Sequence, residues 1–409
     1  MTSRRKFLRT CAAGTIAIAP FGLHHFSLLA ARGVTPSLEF EAGAQVPPSA
    51  GTDNLHAIEI LTKNFMEQTG ISAGQIAVAR DGSVLLSRAF SSKPPKGFSP
   101  VDNRSLFRIA SCSKMFTCAA ITGLRSQGVL DAEAAVFPML GIMSPLVQKD
   151  KPDPRIDQIT VQHLIDHAGG WNDHESFVAK DGTRIPGTEW DPMFAARQIA
   201  IEVRSSQPLS KFDLARYMYG KKLQFTPGSQ NFNTTQSKSY SNFGYLLLGL
   251  VIEKLTGKPY IDHIRSGLNP ESDCSNVFLS RLLVRPRNPR EVWYISGGSG
   301  PSQLDPKSSE ILPAAYGGSF VPELHDSAGG LMTNAETLAL FSCRNAVWGL
   351  GGRASRSART GSLPGTSSLV SSRANGIDCA FVFNTRDFAG GPNKLKEYTA
   401  ELERHLDEI

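Results

Sequence analysis

Cysteine is scarce in this 409-residue chain: six in all, with no Cys-x-x-Cys pair. Beyond residue 32 there remain Cys112, Cys118, Cys274, Cys343 and Cys379, an odd and widely scattered set. That spacing excludes a disulfide framework and leaves buried free thiols as the expectation. Long apolar runs are also missing. The N-terminal run, Cys11 to Pro20, is followed by His24 and His25 and falls well short of the ~20 apolar residues that a spanning helix needs. No integral membrane segment is expected in the processed chain. Excess charge is missing too. The formal net charge is +6, but residues 1–32 hold Arg4, Arg5, Lys6, Arg9 and Arg32 and no acid, so the remainder carries +1. A near-neutral body gives no electrostatic reason to bind nucleic acid. There is no internal repeat. At 41% apolar and 20% charged residues, the composition is ordinary for a soluble globular protein.

What is present begins at the N-terminus. Ser3-Arg4-Arg5-Lys6-Phe7-Leu8, followed by the apolar run, resembles a twin-arginine export signal over residues 1–32. Such a segment is an address and not part of the fold; the alternative is a basic anchor helix. The resemblance implies an exported protein, periplasmic or extracellular. Residues 33–52, rich in Pro, Gly and Ser, read as a linker, and 53–409 as the functional domain.

Within that domain, Asp53 or Asn54 caps a helix whose apolar face is Leu55, Ile58, Leu61 and Phe65 and which stops at Gly70. Gln75–Arg80 and Ser83–Phe90 read as strands joined at Asp81-Gly82, a hairpin signal. A helix is expected from about Cys112 to Ser126. The region of about 130–270 is helical in pattern, with candidates at Ile159–His167 and Phe243–Thr256. Strands return at Thr366–Ser371 and Ile377–Asn384 around Asn375-Gly376, and Lys394–Ile409 is an amphipathic helix. The expected class is α+β: an antiparallel sheet flanked by N- and C-terminal helices, with an all-helical lobe inserted between its halves. Its active site would lie at the seam.

Ser111-Cys112-Ser113-Lys114 is a Ser-x-x-Lys motif at a helix start. A three-residue step puts Ser111 and Lys114 on one face. A seryl hydroxyl needs a base, and lysine serves only if burial lowers its pKa toward neutrality. Taken alone the motif is weak, since a helix cap beside a surface lysine looks the same. Two further pieces stand in order: Tyr240-Ser241-Asn242 before the Phe243–Thr256 helix, and Arg359-Thr360-Gly361-Ser362 shortly before a predicted strand. They supply a phenol, a carboxamide, a cation and a hydroxyl.

Together these motifs resemble the serine β-lactamase-like and penicillin-binding-protein family, which includes class C β-lactamases, D-alanyl-D-alanine peptidases and related esterases. That family carries Ser-x-x-Lys, Tyr-x-Asn and Lys-Thr-Gly or His-x-Gly in this order. Supporting stretches include Phe107-Arg108-Ile109-Ala110, His167-Ala168-Gly169-Gly170, Ala328-Gly329-Gly330-Leu331 and Leu363-Pro364-Gly365, so the similarity runs from about residue 55 to 390. The resemblance implies a serine hydrolase of amide, β-lactam or ester bonds, with cell-wall peptides among the candidate substrates and no metal or cofactor. Ser111 would form an acyl-enzyme, with Lys114 and Tyr240 sharing the proton work and Asn242 binding the acyl side chain. Arg359, Thr360, Gly361 and Ser362 would bind substrate, and the N–H groups of Ser111 and Ser362 would form the oxyanion hole. The sequence departs from the family at Arg359, where Lys or His is usual. Arginine stays protonated; the expectation is a fixed charge at the mouth of the site that holds Tyr240 partly ionised and pairs with a substrate carboxylate. That departure keeps open an alternative, a catalytically weak penicillin-binding or sensor protein.

Rival signals are weaker. Gly70-Ile71-Ser72-Ala73-Gly74 matches the nucleophile-elbow pattern of another hydrolase fold, but here a helix precedes and a strand follows, the reverse of what the elbow requires. His163 and His167 lie four apart with Asp166, Asp173, His174 and Glu175 nearby, yet Leu164 stands where a zinc protease needs glutamate. Packing and hydrogen bonding are the expected roles of these histidines.

Overall fold

The computed structural model describes residues 39–40, 52–173, 176–178, 184–189, 191–230, 239–268, 273–282, 287–345 and 356–409. The chain begins with β1 (Glu39–Phe40), α1 (Thr52–Thr69), β2 (Ala73–Arg80), β3 (Ser83–Ser91), β4 (Phe107–Arg108) and α2 (Ser113–Ser126). The middle holds α3 (Val136–Leu140), α4 (Val161–Ile165), β5 (Ser176–Val178), β6 (Arg184–Glu189), α5 (Ala196–Glu202), α6 (Lys211–Tyr219), α7 (Asn242–Thr256) and α8 (Tyr260–Gly267). Then come β7 (Phe278–Leu279), β8 (Ser299–Pro301), β9 (Ile311–Pro313), β10 (Leu331–Thr333), α9 (Ala335–Asn345), β11 (Arg356–Leu363), β12 (Thr366–Arg373), β13 (Ile377–Phe383) and α10 (Gly391–Asp407).

The hairpin at Asp81-Gly82 forms as its sequence dictates. Both residues take positive φ, 50° and 84°, the conformation that matches the twist of the flanking strands. The main sheet runs β1-β3-β2-β13-β12-β11, antiparallel throughout. Side chains alternate across it with period two. Ile76, Val78, Phe381 and Phe383 face one way and pack with Ile58, Phe65 and Met66 of α1 and Tyr398, Leu402 and Leu406 of α10. Phe65 stacks on Tyr398 at 4.3 Å, and burying a ring of that size contributes about 1.5–3 kcal/mol. The opposite face presents smaller side chains, Ala77, Ala79 and Ala380, to a core that includes Leu338 and Phe341 of α9 and Phe116 of α2. Phe116 and Phe341 meet at 4.1 Å.

The terminal helices and the sheet therefore match the α+β expectation. Several details differ. Glu39–Phe40, read as part of a linker, pairs with β3. Among the described residues, the inserted lobe is built of helices and the two-stranded ribbon of β5 and β6. The helix expected over Ile159–His167 spans only Val161–Ile165, because His167 takes a φ of 54° and turns the chain toward α7. The Arg359–Ser362 motif lies within an edge strand, β11, and not ahead of one.

Candidate active site

Ser111 sits in a single 3-10 turn, Ala110–Cys112, that runs into α2. Ala110 has a φ of 45°, a left-handed conformation that costs a non-glycine residue about 1–3 kcal/mol. Three elements hold it there. Ile109 N–H donates to Leu331 O of β10 at 3.0 Å. Ser368 of β12 donates to Ile109 O at 2.7 Å. Gly361 of β11 lies against the same turn, where a Cβ would run into Ile109 O and the Ser368 hydroxyl. The third motif thus contains glycine because the edge strand must touch the nucleophile turn.

One helical turn on, Lys114 is fully buried. Its Nζ lies 2.6 Å from Asn242 Oδ1, 2.6 Å from Ala328 O and 3.2 Å from Ser111 Oγ. Burial first, and the charge of Arg359 second, push its pKa down to about 7; Asp173, Asp191 and Cys112 pull the other way. The uncharged amine has two N–H donors and one lone pair. Asn242 and Ala328 accept the two N–H bonds, which leaves the lone pair for the Ser111 hydroxyl.

Tyr240 completes the row, its OH 2.8 Å from Ser111 Oγ. The phenol ring stacks on His167 at 4.3 Å. His167 Nδ1 lies 3.1 Å from Ser241 N and 3.2 Å from Ser241 O, and burial keeps the ring uncharged. Burial also raises the Tyr240 pKa, outweighing the opposing effects of Ser111 and Arg359. The expectation of a partly ionised Tyr240 is therefore corrected: it stands as a neutral phenol. Asn242 is the first residue of α7, placed by Ser241, whose hydroxyl caps the helix by accepting from Gly244 N–H at 3.2 Å.

Arg359 is also placed differently from expectation. It is 5% exposed, with Nε and Nη2 inside the protein, and it hydrogen-bonds Tyr245 beneath the site. Strand alternation explains this: Arg359 and Gly361 face inward, and Thr360 is exposed. The charge is internal, not at the mouth. Ser362 is half-buried on the outward side.

Two carboxylates absent from the motifs join the cluster. Asp173 Oδ2 accepts from the Asn242 backbone N–H at 2.6 Å, and Asp191 Oδ2 accepts from Asn242 Nδ2 at 2.6 Å. Both are buried. Burial raises both pKa values, that of Asp191 to about 6 and that of Asp173 well above normal, where the charge of Asp191 adds to the effect. No local pattern marks an isolated aspartate in a long connection, so only tertiary contact reveals them. The rival candidates take structural places. Ser72 Oγ accepts from Trp293 Nε1 and Asn384 Nδ2, and His163 Nδ1 accepts from the Thr160 N–H at 3.3 Å in a helix cap. His174 and Glu175 lie outside the described residues. Cys112, Cys118, Cys274 and Cys379 are buried thiols and Cys343 a half-buried one, none of them in a disulfide.

The structure brings Ser-x-x-Lys, Tyr-x-Asn and an edge-strand Arg-Thr-Gly together on a helix-flanked antiparallel sheet, a fold of the β-lactamase/transpeptidase type. A family model, Beta-lactamase, matches residues 58–391, and the chain belongs to that family. It is 26% identical to penicillin-binding protein 4* of Bacillus subtilis (strain 168), over 48% of this chain and 35% of that protein. It is 23% identical to a beta-lactamase of Providencia stuartii, over 64% of this chain and 55% of that enzyme. The chain thus spans roughly a third to a half of these relatives' lengths. Among solved structures, a D-amino acid amidase of Ochrobactrum anthropi SV3 complexed with D-phenylalanine superposes with a TM-score of 0.60 at 18% identity, covering 87% of this chain and 99% of that one. At that identity the likeness concerns the fold. No described helix is long and apolar enough to cross a membrane.

Proposed function

We propose that this chain is an exported serine hydrolase that forms an acyl-enzyme on Ser111 and cleaves an amide, β-lactam or ester bond in a small molecule or short peptide. The observation that carries the reading is the row Lys114–Ser111–Tyr240, with both amine donors of Lys114 occupied and its lone pair left for Ser111. Lys114 takes the Ser111 proton as Oγ attacks the carbonyl carbon. The proton passes by way of Tyr240 to the leaving nitrogen or oxygen as the scissile bond breaks. Water then repeats the attack on the ester and regenerates Ser111. The N–H groups of Ser111 and Ser362 serve the developing oxyanion. Thr360 and Ser362 contact the substrate, and Arg359 acts from within, on Lys114. Export rests on Ser3–Leu8, a segment outside the described residues.

The test is covalent labelling. A fluorophosphonate or a fluorescent penicillin should mark Ser111, as read by mass spectrometry, and a chromogenic ester should turn over. Label on Ser72, or turnover that survives Ser111→Ala, would overturn the proposal. Labelling without turnover of any ester, amide or lactam would favour the sensor alternative.

A further inference from the structure

Asp191 has no part in the three motifs, yet it is hydrogen-bonded to the residue that holds Lys114. It opens the segment Asp191-Pro192-Met193-Phe194. Its Oδ1 accepts from Met193 N–H at 3.0 Å, and its backbone carbonyl accepts from Phe194 N–H at 3.0 Å. This tight turn fixes the carboxylate. The other oxygen, Oδ2, accepts from Asn242 Nδ2 at 2.6 Å, and Asn242 Oδ1 accepts from Lys114 Nζ at 2.6 Å.

The two ends of a carboxamide have nearly the same shape but opposite hydrogen-bonding character. If the Asn242 amide were turned over, its NH2 would face the Lys114 amine and take the lone pair that otherwise faces Ser111, and its carbonyl would face the Asp191 carboxylate, acceptor against acceptor. An ionised carboxylate accepts only, so Asp191 selects one orientation. That orientation ties one Lys114 N–H to Asn242, Ala328 O takes the other, and the remaining lone pair faces Ser111. We propose that Asp191 is a positioning residue for the reaction: through the Asn242 amide it aims Lys114 at Ser111, and its negative charge counters the effect of the buried Arg359 on Lys114.

The groups facing Lys114 can be named element by element. Cys112 comes from the nucleophile turn, Arg359 from β11, and Asp173 and Asp191 from the connections that precede α5. The rings of Tyr240 and Tyr245 lie 4.9 and 5.3 Å from Nζ. His167 and His325 both feel the Lys114 charge, and burial keeps both uncharged. Both oxygens of Asp191 accept N–H bonds, Oδ1 from Met193 and Oδ2 from Asn242, the arrangement of an ionised carboxylate, so Asp191 carries negative charge. Asp191 and Arg359 therefore act on Lys114 in opposite directions.

This inference rests on Lys114 being the base, and the experiment separates the two. The rate of Ser111 labelling by a neutral fluorophosphonate is measured from pH 5 to 9 for wild type, Asp191→Asn and Asp191→Ala. Asparagine loses the charge and keeps one acceptor oxygen, which serves Asn242 Nδ2 at the expense of Met193 N–H; alanine loses charge and acceptor alike. Without the negative charge Lys114 is less readily protonated, so the acid limb of both variants should move down by about half a unit or more. The plateau above pH 8 should stay within about threefold of wild type for Asp191→Asn and fall at least about tenfold for Asp191→Ala, which frees the amide to turn. A purely structural Asp191 would lower the labelled fraction and leave the limb where it is. An unmoved or raised limb in Asp191→Asn overturns the inference, even if Asp191→Ala fails to fold. A wild type that shows no acid limb near pH 7 overturns the Lys114 reading instead.

Discussion

Replacing Arg359 by glutamine tests the electrostatics of the site most directly. Lys114 loses its proton near pH 7 instead of at 10.5. At pH 7 about half of the molecules then carry the free amine, against about one in 3,000 for an ordinary lysine. Burial supplies the larger part of that shift and the Arg359 charge the next. A full charge beside a titrating group displaces its pKa by roughly one unit or more; the low end, about one unit, is used for Arg359 as the second cause after burial. In Arg359→Gln the Lys114 pKa therefore rises by about one unit, and the free-amine fraction at pH 7 falls from about a half to about a tenth. The rate of Ser111 labelling by a neutral fluorophosphonate should fall about fivefold at pH 7, about tenfold at pH 6, and almost not at all at pH 9. Arg359→Lys keeps the charge and should leave the acid limb nearly in place. The assay is the second-order labelling rate across that pH range, with a thermal melt to confirm folding. A loss by the same factor at every pH, or an acid limb that moves down, would refute the electrostatic account and leave Arg359 as a packing residue.

The remaining predictions concern the proton path, the turn and stability. Lys114→Ala and Tyr240→Phe should each lower kcat about 10²- to 10⁴-fold with little change in KM; near-full activity in steady-state assays would remove that residue from the path. Gly361→Ala should push β11 off the nucleophile turn, because the new Cβ meets Ile109 O and the Ser368 hydroxyl. The labelling rate should drop by at least about tenfold while the far-ultraviolet circular dichroism stays native. Lys114 also bears on stability. Its folded pKa lies below its unfolded value, so its burial penalises folding fully below pH 7, and the penalty fades as pH rises toward 10.5. The upper bound is about 5 kcal/mol. The Tm advantage of Lys114→Met over wild type should therefore shrink between pH 6 and pH 10; an advantage that grows with pH would contradict the buried, uncharged lysine.

Much of the fold was legible because its signals are local. Asp81-Gly82 made a hairpin, Gly257 stopped α7 at a φ of 65°, and the apolar stripes of α1 and α10 announced a buried face. The same holds for the heart of the site. A three-residue helical step fixes the relation of Ser111 to Lys114, and Ser241 caps the helix that presents Asn242. The edge strand β11 escaped notice because Arg356-Ser357-Ala358-Arg359-Thr360-Gly361-Ser362 has no apolar alternation; pairing along β12 and contact with the nucleophile turn make it a strand.

By itself, then, the sequence determined which residue types stand together within a few positions: the nucleophile, its lysine, the capped Tyr-x-Asn and the pattern of sheet and flanking helices. Only the tertiary structure decided how those pieces act on each other. Ser111 and Tyr240 meet across 129 positions and Asn242 and Asp191 across 51, distances in sequence over which no periodicity carries information. The direction of Arg359, the neutral state of Tyr240 and the lowered pKa of Lys114 all depend on burial and on charges brought from separate elements. Desolvation and Coulomb interaction are properties of a place in space, and that place exists only after the sheet and the helical lobe have closed around it.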